Sequence, residues 1–367
     1  MTKKDLIGIG IIGSGFARTT QIPGFRACEG ARVVMIASKH RENAERVARE
    51  FDIEHVANDW REVIARDDVD LVSIVTPPVT HKEMTLAALD AGKAVLCEKP
   101  MAMNAEEADA MRRRAEEKGV LALIDHELRF LPGRLKAREM IQNGEIGEVR
   151  HVNLLFRSDS RASRDRKWDW WSDESIGGGA LGAIGSHAID GIRGLLGAEV
   201  SHVFGSLATH VAEREDERTG EMRRVTTDDE ANLILRFEDG ELTKGATATI
   251  SLSVVEQGTP KHRLEIFGSE GGLMIEENGE LWHAQTGAGE WTRVDVIRGA
   301  LAEGMRDGGW SRGFTIFSRA IVEALREGRN TVAGAAAFED GYRTQLVLDA
   351  ARRSNESGQM IEVGSGY

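Results

Sequence analysis

The sequence is poor in cysteine: only Cys28 and Cys97 occur in its 367 residues, too few for a disulfide framework or a zinc cluster. We expect Cys97 to be a buried structural thiol, in a reducing, cytoplasmic protein without a metal site. The chain also lacks any apolar run approaching the roughly 20 residues that a membrane-spanning helix needs. Basic residues are outnumbered, with 47 Lys and Arg against 60 Asp and Glu. The resulting charge of −13 argues against nucleic acid or an anionic membrane as the main partner.

The remaining composition is that of an ordinary globular protein. Hydrophobic residues make up 41% of the chain and charged residues 29%, and the length suggests two domains. The N-terminal stretch MTKKDLIGIGIIGSG contains an apolar run, but glycines interrupt it and no cleavage site follows. We therefore interpret this run as a buried strand and not as a signal peptide.

The first third of the chain alternates short apolar runs with helix-like stretches. Continuous apolar strands, each followed by a helix, indicate a parallel sheet covered on both faces. The sequence therefore predicts a doubly wound α/β domain. The predicted strands are 6–13, 32–38, 70–76, 94–99 and 120–125, and the predicted helices are 41–50, 59–66, 81–91 and 105–118.

Beyond about residue 130 the strands become longer and apolar residues alternate with polar ones. This pattern predicts an α+β domain with a large, open, mostly antiparallel sheet. The dense mixed-charge segment 214–224 is expected to be an exposed hairpin tip. The predicted strands are 148–157, 202–211, 229–238, 241–255, several within 263–284, and 290–297, and the predicted helices are 133–143, 186–196, 311–327 and 335–355.

A glycine-rich turn follows the first predicted strand, in the segment GIIGSGFART. Glycine permits a tight turn there and lets backbone N–H groups approach a pyrophosphate at a helix N-terminus. The third small residue usual in such turns falls on Arg18, with Ala17 one place early. Either the helix packs differently or the turn is one residue shorter. The predicted dinucleotide contacts in this segment are Gly13, Ser14, Gly15, Phe16 and Ala17.

The end of the second strand bears on the choice of nucleotide. An NAD-selective site usually has an Asp or Glu about 20 residues beyond the glycines, holding the ribose hydroxyls. This chain has Ser38, Lys39, His40 and Arg41 there. Because Ser, Lys and Arg can bind a 2′-phosphate that a carboxylate would repel, Ser38, Lys39 and Arg41 predict NADP as the preferred cofactor, with NAD possible. A solvated helix start is the alternative.

Two further motifs follow the third and fourth apolar strands of the predicted sheet. They are TPPVTH, residues 76–81, and CEKP, residues 97–100. The carboxyl ends of strands line the ligand crevice of an open parallel sheet, so Lys99 is a cation placed at a binding cleft. The predicted cofactor contacts in these two motifs are Thr76, Pro77, Pro78, His81, Glu98 and Lys99.

These motifs, together with R-F-x-P at residues 129–132 and G-x-H-x-x-D at residues 185–190, resemble the glucose–fructose oxidoreductase, inositol dehydrogenase and MocA family. The resemblance implies a Rossmann domain, predicted as residues 1–126. It also implies a C-terminal domain, predicted as residues 127–367, that contacts substrate and forms a homodimer or homotetramer through its sheet. The activity it implies is hydride exchange between NAD(P) and a secondary alcohol of a sugar, polyol or glycoside, in carbohydrate metabolism.

The resemblance assigns Lys99 and His187 to positions flanking the substrate near the nicotinamide. A neutral imidazole, with an unperturbed pKa of about 6.5, suits removal of the hydroxyl proton near neutral pH. A neighbouring ammonium stabilises a developing alkoxide. The alternative for His187 is a structural histidine near a helix start.

One position departs from the family pattern D-x-G-x-H-x-x-D, because its first aspartate falls on Ala183. Asp190, one helical turn after His187, or Asp125 is available as a substitute. Asp190 is predicted as catalytic, and bracing of the helix is the equal alternative. Two other functions therefore stay open: a redox-neutral glycoside-cleaving enzyme that uses bound NAD, and a non-catalytic cofactor-binding regulator.

The segment 160–175 is rich in tryptophan and arginine. Flat aromatic rings pack on the C–H faces of sugars, and Arg161, Arg164 and Arg166 could bind a carboxylate or phosphate. The segment therefore predicts a substrate cover, with ordinary packing as the alternative. The predicted substrate-binding residues are Arg129, Trp168, Trp170, Trp171 and His187.

Overall fold

The structure is a computed structural model that describes residues 4–365. The chain divides into two compact units. Unit 1 comprises the described residues up to Leu131 together with Gly299–Tyr342, and unit 2 comprises Pro132–Arg298 together with the described residues from Arg343 onward. In the part of the chain that is described, no helix is both long and apolar enough to cross a membrane.

Unit 1 contains a six-stranded sheet in which every neighbouring pair of strands is parallel. Its strands are β1 (Ile7–Ile12), β2 (Ala31–Ala37), β3 (His55–Ala57), β4 (Leu71–Ile74), β5 (Ala94–Cys97) and β6 (Ala122–Ile124). The order β3-β2-β1-β4-β5-β6 reverses direction between β1 and β4, where open α/β sheets bind their ligands. The predicted doubly wound domain is confirmed, with β3 as a strand that the sequence pattern missed.

Five helices follow these strands in the first part of unit 1. They are α1 (Ile22–Arg26), α2 (Arg41–Phe51), α3 (Trp60–Ile64), α4 (His81–Asp90) and α5 (Ala105–Lys118). Two separate apolar clusters contain alternate residues of the same strands, so that Leu96 belongs to one and Val95 and Cys97 to the other. Both faces of the sheet are therefore covered, as the continuous apolar runs require.

Unit 2 contains a nine-stranded sheet, a two-stranded hairpin and the helices α6 (Pro132–Gln142) and α7 (Ser186–Leu196). The sheet order is β16-β15-β14-β13-β7-β12-β11-β8-β17, and among its strand pairs within residues 4–365 only β7–β12 is parallel. The strands are β7 (Val149–Arg157), β8 (Val200–Ala208), β9 (Glu213–Glu215), β10 (Met222–Arg224), β11 (Glu230–Phe237), β12 (Thr247–Ser253), β13 (Lys261–Gly268), β14 (Gly271–Ile275), β15 (Leu281–Gln285), β16 (Thr292–Val294) and β17 (Ile361–Glu362). The predicted mostly antiparallel sheet is confirmed, and β9 and β10 form the expected hairpin.

The nine-stranded sheet is apolar on one face only. On β11, Leu233 and Leu235 are buried in the core of unit 2, whereas Ile234 is 47% exposed. Polar side chains lie around this exposed residue, and Ser251 donates a hydrogen bond to Asn232 on the same face. The face that carries Ile234 is thus mixed in polarity and not uniformly apolar.

The last two helices, α8 (Gly309–Arg326) and α9 (Phe338–Ser357), divide between the units. Phe314 of α8 packs edge-on against Phe25 at 5.4 Å between ring centroids, and Phe317 stacks on Phe130 at 4.6 Å. These aromatic contacts hold α8 in unit 1. The boundary between the units falls within α9, after Tyr342.

The two units thus differ from the predicted domains 1–126 and 127–367. The segment 299–342 was assigned to the second domain by its position in the chain, but it packs with unit 1. The reason is physical: α8 is amphipathic, and its buried residues belong to the same apolar cluster as β1. An amphipathic pattern shows which face of a helix is buried, not which sheet covers it.

Candidate functional site

The glycine-rich turn after β1 has the geometry expected of a phosphate-binding loop. Gly13 has φ 109°, and a Cβ there would lie 2.1 Å from the Val75 carbonyl oxygen, so only glycine fits. At Gly15, by contrast, a Cβ would meet no heavy atom within 4 Å. The protein's own packing does not require glycine at this second position. Open space in front of a helix start is what a pyrophosphate needs, and the turn therefore fits a dinucleotide.

The helix after this turn begins with a π-helical turn, Ala17–Gln21, before α1. The wider turn buries Ala17 completely and directs Arg18 outward, where its Nε lies 2.6 Å from Glu50. The π-helical turn thus explains why the small residue is Ala17 and not residue 18: the helix packs differently, and the glycine-rich turn is not shorter. Phe16 is 37% exposed beside the turn.

The end of β2 lies next to the turn, because Ser14 Oγ is 3.5 Å from Ser38 Oγ. Lys39 and Arg41 are exposed, and Arg41 Nε forms an ion pair with Glu45 at 2.9 Å. No carboxylate stands among residues 38–41. The structure thus places Ser38, one of the predicted ribose-binding residues, beside Ser14 of the predicted pyrophosphate-binding turn.

His81 holds together the two loops that follow β4 and β5. Its Nε2 lies 2.8 Å from the Thr76 carbonyl oxygen, and its Nδ1 lies 3.1 Å from the Pro100 carbonyl oxygen. The ring is fully buried, and burial lowers its pKa. Backbone carbonyls thus face both ring nitrogens of His81, which ties the two loops to each other. Thr76 and Pro77 are half-buried and Pro78 is buried.

Glu98 and Lys99 follow β5 but lie in different environments. Glu98 is buried, and its Oε2 accepts a hydrogen bond from the Lys99 backbone N–H at 3.3 Å, whereas the Lys99 side chain is half-buried. The peptide bond between Lys99 and Pro100 is cis. Glu98 therefore lies behind Lys99, among buried polar groups that the sequence did not identify.

The buried polar groups behind Lys99 are joined by Gln21, the last residue of the π-helical turn. Its side-chain amide donates to Glu98 Oε1 at 2.9 Å and to Asp125 Oδ2 at 2.8 Å, while its oxygen accepts from Ser73. Desolvation raises the pKa of Glu98, and desolvation with the nearby charges of Glu127 and Glu98 raises that of Asp125 well above its ordinary value. One signal was available in the sequence: Ser73 interrupts the apolar run LVSIV, and a buried hydroxyl needs a partner.

In unit 2 a second π-helical turn, Leu181–Gly185, leads into α7. His187 and Asp190 lie on α7, 3% and 1% exposed respectively, and Ala183 is buried in the turn. π-Helical turns occur frequently at functional sites. In this protein one π-helical turn precedes His187 in unit 2, and the other follows the glycine-rich turn in unit 1.

Asp228 caps the start of the helix that carries His187, a role the sequence did not reveal. Its Oδ2 accepts a hydrogen bond from the Leu181 backbone N–H at 2.6 Å. Gly179, with φ 109°, makes room, because a Cβ there would lie 2.5 Å from Asp228 Oδ1. Desolvation raises the pKa of Asp228 to about 6.

The predicted substrate cover, residues 160–175, is tied down by internal contacts. Arg161 is buried, pairs with Asp169 at 2.6 Å and lies 5.0 Å from the Trp171 ring centroid. The indole of Trp168 donates to the Arg224 carbonyl oxygen at 3.2 Å. These contacts favour the packing alternative for Arg161 and Trp168. Trp170 and Trp171 are each half-buried, whereas Arg164 and Arg166 are exposed.

Arg129, also predicted to bind substrate, lies in unit 1 and forms an ion pair with Asp340 at 2.9 Å. Within residues 4–365, no group of three or more His, Cys, Asp or Glu side chains could hold a metal ion. The candidate functional residues thus form two sets, one around the strand ends of unit 1 and one around α7 of unit 2.

Known protein families match both units. Residues 7–126 match the family described as "Oxidoreductase family, NAD-binding Rossmann fold", and residues 135–274 match the "GFO/IDH/MocA C-terminal domain". Glucose-fructose oxidoreductase domain-containing protein 2 of Xenopus laevis is 30% identical over 98% of this chain and 94% of its own. Levoglucosan dehydrogenase of Pseudarthrobacter phenanthrenivorans is 29% identical over 97% of this chain and 98% of its own.

A solved structure is similar to the whole fold. The complex of a levoglucosan dehydrogenase with NADH and levoglucosan has a TM-score of 0.86 and 28% sequence identity. The match covers 98% of this chain and 100% of that chain.

Proposed function

Because the chain belongs to the Gfo/Idh/MocA oxidoreductase family, with its NAD-binding Rossmann fold, we propose that it transfers a hydride between a nicotinamide dinucleotide and a secondary alcohol of a sugar, polyol or glycoside. The observation that carries the proposal is the turn after β1. Gly13 is required by the backbone, whereas Gly15 leaves open space where a pyrophosphate can approach. A dinucleotide bound there supplies the hydride acceptor.

The protein's own residues supply the proton chemistry of this proposal. His187 takes the proton of the substrate hydroxyl as the hydride leaves the carbon. The ammonium of Lys99 stabilises negative charge that develops on a substrate oxygen. Asp228 fixes the start of the helix that carries His187, and Asp190 lies one turn after the histidine on that helix. Ala183 leaves the family aspartate position without a carboxyl group, so the basicity of His187 depends on other neighbours.

For the cofactor, we propose a preference for NADP over NAD. The support is the hydroxyl of Ser38 beside Ser14, the exposed cations of Lys39 and Arg41, and the lack of a carboxylate among residues 38–41. A 2′-phosphate carries negative charge, which these cations attract and which an aspartate or glutamate would repel.

For the substrate, we propose a sugar or anhydrosugar. Two relatives support this class: one is named levoglucosan dehydrogenase, and a solved levoglucosan dehydrogenase contains NADH and levoglucosan. The half-buried rings of Trp170 and Trp171 in unit 2 supply flat apolar surfaces of the kind that sugars contact.

For the assembly, we propose a homodimer or homotetramer formed through the nine-stranded sheet, in the cytoplasm. The face of the sheet that carries Ile234 exposes a large aliphatic side chain among polar ones. Interfaces combine such apolar positions with polar ones, and closed symmetric oligomers are the commonest assemblies.

The test is a panel of sugars, anhydrosugars and polyols incubated with NADP or NAD, with the absorbance of the reduced nicotinamide as the readout. Dehydrogenation gives reduced cofactor in proportion to substrate consumed. Release of an aglycone from a glycoside without net change in cofactor would instead indicate the redox-neutral reaction. Binding of cofactor without turnover of any compound, and without aglycone release, would contradict an enzymatic function.

A further inference from the structure

Two carboxyl groups lie buried at the strand ends behind Lys99. Glu98, after β5, is 7% exposed, and Asp125, after β6, is fully buried. Both accept hydrogen bonds from the same nitrogen, Nε2 of Gln21, at 2.9 and 2.8 Å. One amide nitrogen thus joins two acids that are shielded from water.

Two charges cannot both persist in such a place. Like charges this close, without water between them, repel strongly, and burial penalises each charge separately. One proton held by the pair removes this repulsion, because only one of the two groups is then charged. Asp125 is fully buried and its Oδ1 has no hydrogen-bond partner among the described residues, so a negative charge is poorly stabilised there and the proton belongs on Asp125.

The charges of neighbouring residues favour the same placement, with the proton on Asp125 and the negative charge on Glu98. The ammonium of Lys99 favours a negative charge on Glu98, whereas the charge of Glu127 disfavours one on Asp125. Glu98 Oε2 also accepts the Lys99 backbone N–H. The charged member of the pair is therefore the one in contact with Lys99.

We propose that Glu98 and Asp125 together hold one proton, carried by Asp125, and that the single negative charge on Glu98 positions Lys99 for the reaction. Gln21 maintains the pair by donating one amide hydrogen to each carboxyl group, and Ser73 fixes the amide from its other side. These are positioning residues, since they act through Lys99. This inference rests on the proposed function for the role of Lys99, but the shared proton stands independently of it.

Gln21 also gives the pair a connection to the dinucleotide site. It ends the π-helical turn that follows the glycine-rich turn, while its side chain reaches the ends of β5 and β6. The π-helical turn that follows the glycine-rich turn thus supplies the amide that holds the two carboxyl groups behind Lys99.

Infrared spectroscopy of the full-length protein tests the shared proton without any turnover. At about pH 8 ordinary carboxyl groups are ionised, so the C=O stretch of a protonated carboxyl group stands alone. We expect this band in the wild type and its loss in Asp125→Asn. Asp228→Asn should leave it unchanged. Absence of the band in the wild type, or its persistence in Asp125→Asn, overturns the proposal.

Turnover of a substrate found in the sugar panel tests the positioning role. Asparagine at 125 imitates a protonated acid, whereas glutamine at 98 removes the charge. We therefore expect Asp125→Asn to retain at least about tenfold more kcat than Glu98→Gln, although both changes are isosteric. Gln21→Leu should lower kcat by roughly tenfold and leave the dinucleotide dissociation constant within about threefold of wild type. Equal kcat losses in the two isosteric variants would overturn the positioning role.

Ser354→Ala is the matched control, because Ser354 is a fully buried serine of unit 2 that accepts the Gly205 N–H at 2.9 Å. It should change neither the band nor kcat. If the band is present and no compound is turned over, the shared proton stands and the proposed function fails. If a compound is turned over and the band is absent, the shared-proton proposal is wrong and the proposed function stands.

Discussion

Asp228 accepts a hydrogen bond from the Leu181 backbone N–H at 2.6 Å, which places a carboxyl group at the start of the helix that carries His187. A carboxylate at a helix N-terminus is stabilised by the helix dipole, yet here desolvation outweighs that gain and raises the pKa to about 6. The folded protein therefore holds a proton on Asp228 more tightly than the unfolded chain does.

Asp228 should make the stability of the protein depend on pH. Its pKa is about 6 in the folded state against an ordinary 3.8, so between these values the folded state binds the proton more tightly than the unfolded chain. The free energy of unfolding therefore falls as pH rises through this window. Asp228→Asn should gain stability over wild type at about pH 8 but little at about pH 4. Because Asp228 is partly exposed, we expect less than the full gain of about 3 kcal/mol.

Urea unfolding at the two pH values measures this difference. Asp228→Leu, which removes the hydrogen-bond acceptor as well as the charge, should be less stable than Asp228→Asn at both. An Asp228→Asn variant whose stability relative to wild type is the same at both pH values would contradict the prediction.

The two glycines of the phosphate-binding turn should respond differently to substitution. Gly13→Ala brings a Cβ 2.1 Å from the Val75 carbonyl oxygen at a φ of 109°, so it should destabilise unit 1 by roughly 1–3 kcal/mol or more. Gly15→Val meets no atom of the protein within 4 Å at its Cβ and should leave stability within about 1 kcal/mol. It should nevertheless weaken dinucleotide binding at least tenfold, by roughly 1.4 kcal/mol, because the side chain fills the open space.

Thermal unfolding and titration calorimetry separate these two effects. Gly15→Ala is the matched control with a smaller side chain, and its loss of affinity should be smaller than that of Gly15→Val. Unchanged dinucleotide affinity in Gly15→Val would show that the pyrophosphate lies elsewhere.

Cofactor choice should change with one side chain at the end of β2. Ser38→Asp places a carboxylate where it can accept hydrogen bonds from free ribose hydroxyls and repel a 2′-phosphate. The ratio of the NADP and NAD dissociation constants, measured by calorimetry, should move toward NAD by roughly tenfold or more. Tighter binding of NAD than of NADP by the wild type, by a similar factor, would overturn the NADP preference itself.

His187 and Lys99 should act mainly on the transition state. His187→Ala should lower kcat by roughly 10²–10⁴-fold with dinucleotide affinity nearly intact, and Lys99→Ala by a comparable factor. The double variant should lose much less than the product of the two factors, because residues that act as one unit are not additive. Steady-state kinetics with a substrate from the panel provides the measurement. Turnover by His187→Ala within a factor of about three of wild type would make the histidine structural.

The assembly should depend on the exposed face of the nine-stranded sheet. Light scattering should give a mass of at least two chains for the wild type, and Ile234→Glu should shift it toward the 40.2 kDa of one chain. Ile297, which is 87% exposed and lies outside the sheet, provides the matched control Ile297→Glu. A wild-type mass near that of one chain at micromolar concentration would rule the oligomer out.

Periodicity and turn chemistry were sufficient to predict most of the fold. Continuous apolar runs identified five of the six parallel strands, and β3 escaped because His55–Ala57 is a three-residue, half-buried edge strand. Local sequence patterns also could not show which of the two sheets α8 packs against. Its Phe314 contacts Phe25 and its Phe317 stacks on Phe130, and no periodicity encodes contacts at such separations.

The candidate site was predictable where a single motif carries it. Residue type and spacing indicate three parts of it: the glycine-rich turn, Lys99 at the end of a strand, and His187 on a helix. Gln21 and Asp228 did not, because their partners lie far away in sequence: Asp125 is 104 residues from Gln21, and Leu181 is 47 residues from Asp228. Such polar residues become informative only when the fold shows which buried groups they satisfy.

The packing of α8, a late segment of the chain, within unit 1 has a consequence for biosynthesis. The first strands leave the ribosome early, yet the aromatic side chains that complete their apolar cluster are made almost at the end of the chain. Unit 1 therefore cannot finish folding during translation of its own N-terminal segment, and it carries uncovered apolar surface while unit 2 is being synthesised. Until α8 is made, the first strands therefore keep the kind of exposed apolar surface that makes partly folded chains prone to aggregation, which a dinucleotide-binding domain encoded by one continuous segment would cover sooner.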